Sequence, residues 1–167
     1  AFPRNKPRER VVAYFDYRAS GISVLAPLAA AGDDRAAAMV RTVLDNTRYY
    51  ARRIHMHHRD EAGDVLWRLP LRRLLAHLGL AWPHLERLLP PGELAELREM
   101  LTAQVESAIE HNHGFWPGGR GWLFMAANNH TALFAQGIRL CGKALGRSDW
   151  VALIDDFAQR YLDDMHP

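Results

Sequence analysis

The sequence predicts an all-α fold built of antiparallel helical hairpins. Three observations predict it. Apolar residues recur at three- and four-residue steps along most of the chain, and no stretch alternates convincingly at the two-residue period of a strand. Turn-forming residues separate the apolar stripes at Gly32-Asp33, Asp60 to Asp64, Pro90-Pro91-Gly92 and Gly146-Arg147-Ser148. Links that short return the next helix antiparallel to the last.

The first helix expected is short and apolar, Ile22 to Ala30, bracketed by Gly21 and Gly32. Asp33 or Asp34 caps the next, which runs to about His55 with Ala37, Val40, Val43, Leu44, Thr47 and Tyr50 or Ala51 on one stripe. The carboxylates at its start and Arg52 and Arg53 near its end suit the helix dipole. Asp60, Gly63 and Asp64 make a turn. Trp67 to Leu78 forms the third helix, with Pro70 tolerated in its first turn, and a separate short helix follows from His84 to Leu89. Pro90-Pro91-Gly92 breaks the chain before a helix from Glu93 to about Glu110, whose stripe is Leu94, Leu97, Leu101, Val105 and Ile109. After a glycine- and tryptophan-rich loop, Asn128 or Asn129 caps a helix to Leu145. Ser148 then caps the last one, Asp149 to Met165. No fixed-period repeat is present, so the hairpins fit either a bundle or a ring. The long loop at 111–126 favours the ring, because a functional loop there sits at one rim.

Length and composition fit one helical domain over residues 1–167. Residues 1–12 form an extended lead-in containing Pro3 and Pro7. The apolar share of 49% with 24% charged residues is that of a packed globular chain rather than a disordered one. A net charge of +2, with the cations dispersed over several helices, argues against a nucleic-acid partner. No apolar run reaches membrane-spanning length, so no membrane partner is expected. The lead-in lacks the apolar core of a signal peptide. Cys141 stands alone, which excludes an internal disulfide and fits a buried thiol on a helix. A start at Ala1 and a stop just after a strong helix, at Met165-His166-Pro167, suggest a piece of a longer chain.

The most informative stretch is Ala126-Ala127-Asn128-Asn129-His130-Thr131, where two amides and an imidazole stand at the start of an amphipathic helix. Before it, Phe115-Trp116-Pro117-Gly118-Gly119-Arg120-Gly121-Trp122 supplies aromatic faces and a cation. An Asn amide donates without a charge of its own, and a His near its ordinary pKa of about 6.5 both donates and exchanges protons. The N–H groups of the first helical turn add positive potential. Arg120 could clamp an acidic group bidentately, Trp116 and Trp122 offer flat faces to a sugar ring, and His113 offers a proton carrier or subsite contact. These groups suit an acidic polysaccharide or oligosaccharide, and no cofactor or metal is expected. The structural alternative is plain: Asn at a helix start is a common cap, and the tryptophans could equally anchor the loop in the core.

Other clusters read as structural. His55, His57 and His58, with Asp60 and Glu61 nearby, lie at a helix end where their rings diverge, which suits the dipole better than zinc. Asp155-Asp156 and Asp163-Asp164 lie side by side on a helix instead of facing each other across a glycosidic bond. No phosphate-binding or dinucleotide glycine loop is present.

From Ala127 to Pro167 the sequence resembles part of an (α/α) toroid polysaccharide lyase of the heparinase II/III and alginate-lyase type. The shared elements are Asn129-His130 opening an inner helix, the small and apolar face after it, the Leu145-Gly146-Arg147 turn, and the outer helix that follows. The likeness is clearest over about residues 111–167; residues 14–110 share only the hairpin architecture. It implies an incomplete toroid in which Asn129 and His130 neutralise a uronate carboxylate before β-elimination. It also implies a periplasmic or secreted setting. The family tyrosine normally lies further along the chain than this sequence reaches and has no counterpart at Tyr161. Two alternatives remain: a hydrolase on a similar toroid, and a non-catalytic helical scaffold that binds carbohydrate or protein. The sequence sets no oligomeric state.

Overall fold

The computed structural model describes residues 21–57, 65–111 and 129–165. Among these residues there are six helices and no strand, so the fold is all-α. They are α1 (Ile22–Ala30), α2 (Asp34–His57), α3 (Val65–Leu88), α4 (Pro91–His111), α5 (Asn129–Leu145) and α6 (Ser148–Met165).

Local chemistry closes three of the links. Between α1 and α2, Gly32 takes φ +99°, a left-handed conformation that costs glycine little. Its neighbour Asp33 donates its N–H to the Leu28 carbonyl at 3.1 Å, the wide hydrogen bond of a Schellman ending. Asp33 then caps α2 by accepting the Ala36 N–H on its carboxylate at 2.9 Å. Between α3 and α4, Pro91 occupies the first helical position, where a missing N–H is harmless. Between α5 and α6, Gly146 at φ +72° allows Arg147 to donate back to the Gly142 carbonyl at 2.8 Å.

Two expectations need correction. The sequence suggests two helices over 67–89, but α3 is one helix of 24 residues that continues through Pro83. Proline inside a helix costs about 3 kcal/mol. Here Pro83 lies on the exposed side, while Leu74, Leu75, Leu78, Trp82 and Leu85 are all buried on the other. Burying Trp82 and Leu85 stabilises by roughly 1.5–3 kcal/mol each, enough to offset the proline. The second correction concerns Ser148, which is the first residue of α6 and not its cap. The carbonyl that receives the Val151 N–H, at 3.3 Å, belongs to Arg147.

The helices form two layers. α3 packs most extensively on α5, and α1 packs on α3, so the odd-numbered helices form one layer. α2, α4 and α6 lie against their hairpin partners α1, α3 and α5 as the second layer. The core between the layers holds Ile22 and Ala26 of α1, Leu44 of α2, Leu97 and Leu101 of α4, and Ile154 of α6. α3 and α5 come close together at Gly79, where an added Cβ would stand 2.8 Å from the Leu140 backbone carbon and 2.9 Å from the Cys141 nitrogen.

Arg98 of α4 fixes the direction of this pair. Its guanidinium donates to the Leu145 carbonyl at 3.2 Å, lies 3.9 Å from the Glu86 carboxylate, and covers the Trp82 ring at 5.3 Å. The C-terminal parts of α3 and α5 are therefore at the same end, and the two helices run the same way.

Gly79→Ala is expected to destabilise the protein by about 1–3 kcal/mol, because the new methyl meets backbone that cannot rotate aside. The gain in helix propensity, about 1 kcal/mol, works against this loss and does not cancel it. Urea unfolding measures the difference; a midpoint at or above wild type would show that α5 shifts freely on α3. In hydrogen exchange, amides around Leu44 and Leu97, both essentially inaccessible to solvent, are expected to open only with global unfolding. Fast exchange there would remove α2 or α4 from the cooperative unit.

Candidate functional site

The sequence motif falls at the start of α5. Asn129 and His130 are the first two residues of that helix. Their backbone is described and their side chains are not, while Asn128, His113, Trp116, Arg120 and Trp122 lie outside the described residues. The site is therefore built from the helix that carries it.

The sequence makes α5 a rigid mount. Small residues let it approach α3, and the stripe Ala135, Ile138, Cys141 and Leu145 is buried. Gly142 lies against the Arg147 carbonyl and the Val151 side chain, where a Cβ would come within 3.0 Å of each. The opposite face is solvent-facing, with Ala132 and Gln136 exposed. Asn129 opens the helix six residues before the buried Ala135, roughly 9 Å along the axis at 1.5 Å per residue.

Direction adds an electrostatic consequence. Because α3 and α5 run the same way, both present their N-terminal ends at one end of their layer. A helix N-terminus carries about half a positive charge, which favours an anion there.

Several of the remaining candidate groups have structural partners. Asp155 accepts from Arg139 at 2.6 Å, and this hydrogen bond and the Arg139 charge hold its carboxyl below the usual range. Asp156 pairs with Arg160 at 2.8 Å and Asp163 accepts from Gln159 at 2.8 Å. All three aspartates are exposed, and each has a partner on the surface. Tyr161 is half-buried and stacked on Phe157, with ring centroids 6.5 Å apart. His55 and His57 belong to the end of α2 and His111 to the end of α4, whereas His58, Asp60 and Glu61 lie outside the described residues. Among the described residues no group of His, Cys, Asp and Glu is arranged to hold a metal ion. None of the described helices is long and apolar enough to cross a membrane.

Cys141 is buried, and desolvation pushes its thiol pKa up to about 12 despite a backbone hydrogen bond from Gly79. Its S–H donates to the Leu75 carbonyl at 3.2 Å. A neutral thiol enclosed between two helices is a poor nucleophile.

Sequence reading missed the polar contacts between distant segments. Ser23 and His77 are hydrogen-bonded at 2.8 Å across α1 and α3, 54 positions apart and with no local signal to pair them. Arg48 joins α2 to the start of α4 through the Glu93 carboxylate at 3.3 Å and Glu96 at 3.7 Å. Only the charge signs could have hinted at that pairing.

No family model, curated protein or solved structure matches the chain.

The Cys141 thiol is expected to react with an aromatic disulfide reagent only at the rate of unfolding at neutral pH. Its folded pKa lies above the unfolded value of about 8.5, so folding retains the proton. Stability is then unaffected below about pH 8.5 and declines as pH rises towards about 12. Cys141→Ala flattens that alkaline decline if the thiol causes it. Rapid modification of the native protein at neutral pH would contradict the burial.

Proposed function

We propose that the chain is part of an (α/α) toroid polysaccharide lyase that cleaves uronic-acid-containing glycans by β-elimination. The observation that carries this reading is the Asn129-His130 pair opening α5, the helix most firmly seated on α3. Supporting it, odd-numbered helices pack on one another with their even-numbered partners behind them, as an arc of such a ring requires. The shared positive ends of α3 and α5 suit an acidic sugar.

In the proposed reaction Asn129 and His130 hydrogen-bond the uronate carboxylate. Their donors stabilise the charge that moves onto its oxygens as a base removes the C5 proton. The freed electron pair forms the C4–C5 double bond, and the C4–O bond breaks, releasing the leaving sugar hydroxyl once it is protonated. Asn128, Arg120, His113, Trp116 and Trp122 are the proposed substrate contacts. The base is not assigned to Tyr161, whose half-buried ring stacks on Phe157 against the helical core.

The test is elimination by the full-length protein on uronate polysaccharides, followed through the near-ultraviolet absorbance of the unsaturated product. Asn129→Ala and His130→Ala are each expected to lower kcat by about 10²–10³-fold, with helical circular dichroism unchanged. Wild-type turnover by His130→Ala would remove the role given to the imidazole. Reducing ends without unsaturated product would replace the lyase with a hydrolase.

A further inference from the structure

Where α1 meets α3, the Ser23 hydroxyl lies 2.8 Å from Nδ1 of His77. Both residues are half-buried, so the contact is sheltered without being sealed. With its proton on Nε2, neutral His77 accepts from the hydroxyl, which places a nucleophile beside a base. Ser23 is the second residue of α1, so Oγ stands at the positive end of a nine-residue helix. That end favours negative charge developing beside it. On the α1 side the contact is uncharged, since that helix carries no charged residue between Ile22 and Ala30. Val24, next to the nucleophile, is 64% exposed, and Leu80, one turn beyond His77, is 51% exposed.

We propose that Ser23 and His77 form an acyl-transfer site for short-chain, uncharged carboxylic esters, separate from the start of α5. Ser23 Oγ attacks the ester carbonyl carbon while its proton passes to Nδ1 of His77, and the carbonyl π pair moves onto oxygen. As that pair returns, the bond to the leaving alcohol breaks, and the alcohol takes the proton from Nδ1. Water then repeats the sequence on the acyl-serine, releasing the acid and restoring the hydroxyl. Val24 and Leu80 supply the apolar surface for the acyl chain.

An alkyl fluorophosphonate tests this directly, because it is captured only by an activated serine. Peptide mapping of the treated, folded protein is expected to place the adduct on Ser23 and to find none there in Ser23→Ala. His77→Gln is expected to slow labelling about a hundredfold, the scale of general-base assistance. The wild-type rate is expected to rise between pH 5 and 8 as an imidazole loses its proton. Absence of the adduct from folded wild-type protein overturns the proposal, leaving the hydrogen bond as a tie between α1 and α3. Equal labelling rates in wild type and folded His77→Gln overturn it as well. If His77→Gln fails to fold, the wild-type pH profile decides instead: a rise through that range supports the proposal, and a flat profile overturns it.

Discussion

The close approach of α3 and α5 at Gly79 is the constraint on which the rest of the structure depends. No other residue fits there, since even one methyl would meet Leu140 and Cys141 backbone at under 3 Å. Glycine in a helix costs about 1 kcal/mol relative to alanine, and that cost is offset only if the approach gains more in packing. It does so by bringing Leu75, Leu78, Ile138 and Cys141 into one buried seam. Each side chain enclosed on this scale contributes roughly 1.5–3 kcal/mol. Once the seam is set, α4 and α6 must return behind it, because their links to α3 and α5 are so short.

The arginines set register between helices more than they set stability. Exposed ion pairs such as Arg139 with Asp155 contribute little, since solvent screens them. Arg48 is the stronger case: its side chain is mostly buried, and its partners lie on the first turns of α4 as well as on α2. Arg147 plays a similar part at the last turn. It pairs with Asp149 at 2.7 Å and Glu106 at 3.1 Å, and its guanidinium covers Trp150 at 4.2 Å. One side chain there joins the α5–α6 corner to α4. These contacts choose among packings that the apolar core alone would tolerate.

What was legible in the sequence was what depends on near neighbours. Ile22 to Ala30 is bounded by Gly21 and Gly32, and the structure keeps those limits. Asp33 announced its cap, and Gly146 its turn. The break expected between Leu78 and His84 does not occur, because the local penalty of Pro83 is offset by burial against helices distant in sequence. Ser148 misled for a similar reason: it is a good capping residue, but the Arg147 carbonyl completes the helix one residue earlier. The candidate site was legible as a motif and as a helix start. Its loop lies outside the described residues, and the partners of Ser23 and Arg48 follow from tertiary packing that no local pattern encodes.

Magnitudes decide which part of the α5 entrance the proposed elimination would need. A helix N-terminus stabilises a nearby anion by about 0.3–1 kcal/mol when exposed, and salt weakens it. In the proposed reaction two such ends at one side of the layer would attract and orient a uronate, but would discriminate weakly between the ground state and the carbanion-like transition state. Direct donors aimed at the carboxylate oxygens contribute about 2.7–4 kcal/mol each as charge develops. The chemistry would therefore rest on the side chains of Asn129 and His130, with the helix ends assisting capture. Position matters as much as donor strength, because misplacement by 1 Å can cost about 10²-fold. In the proposed reaction, a donor pair at the start of a helix held by Gly79, Cys141 and Gly142 would keep its backbone position on substrate binding. A pair carried on an unanchored loop would have to be ordered at each encounter.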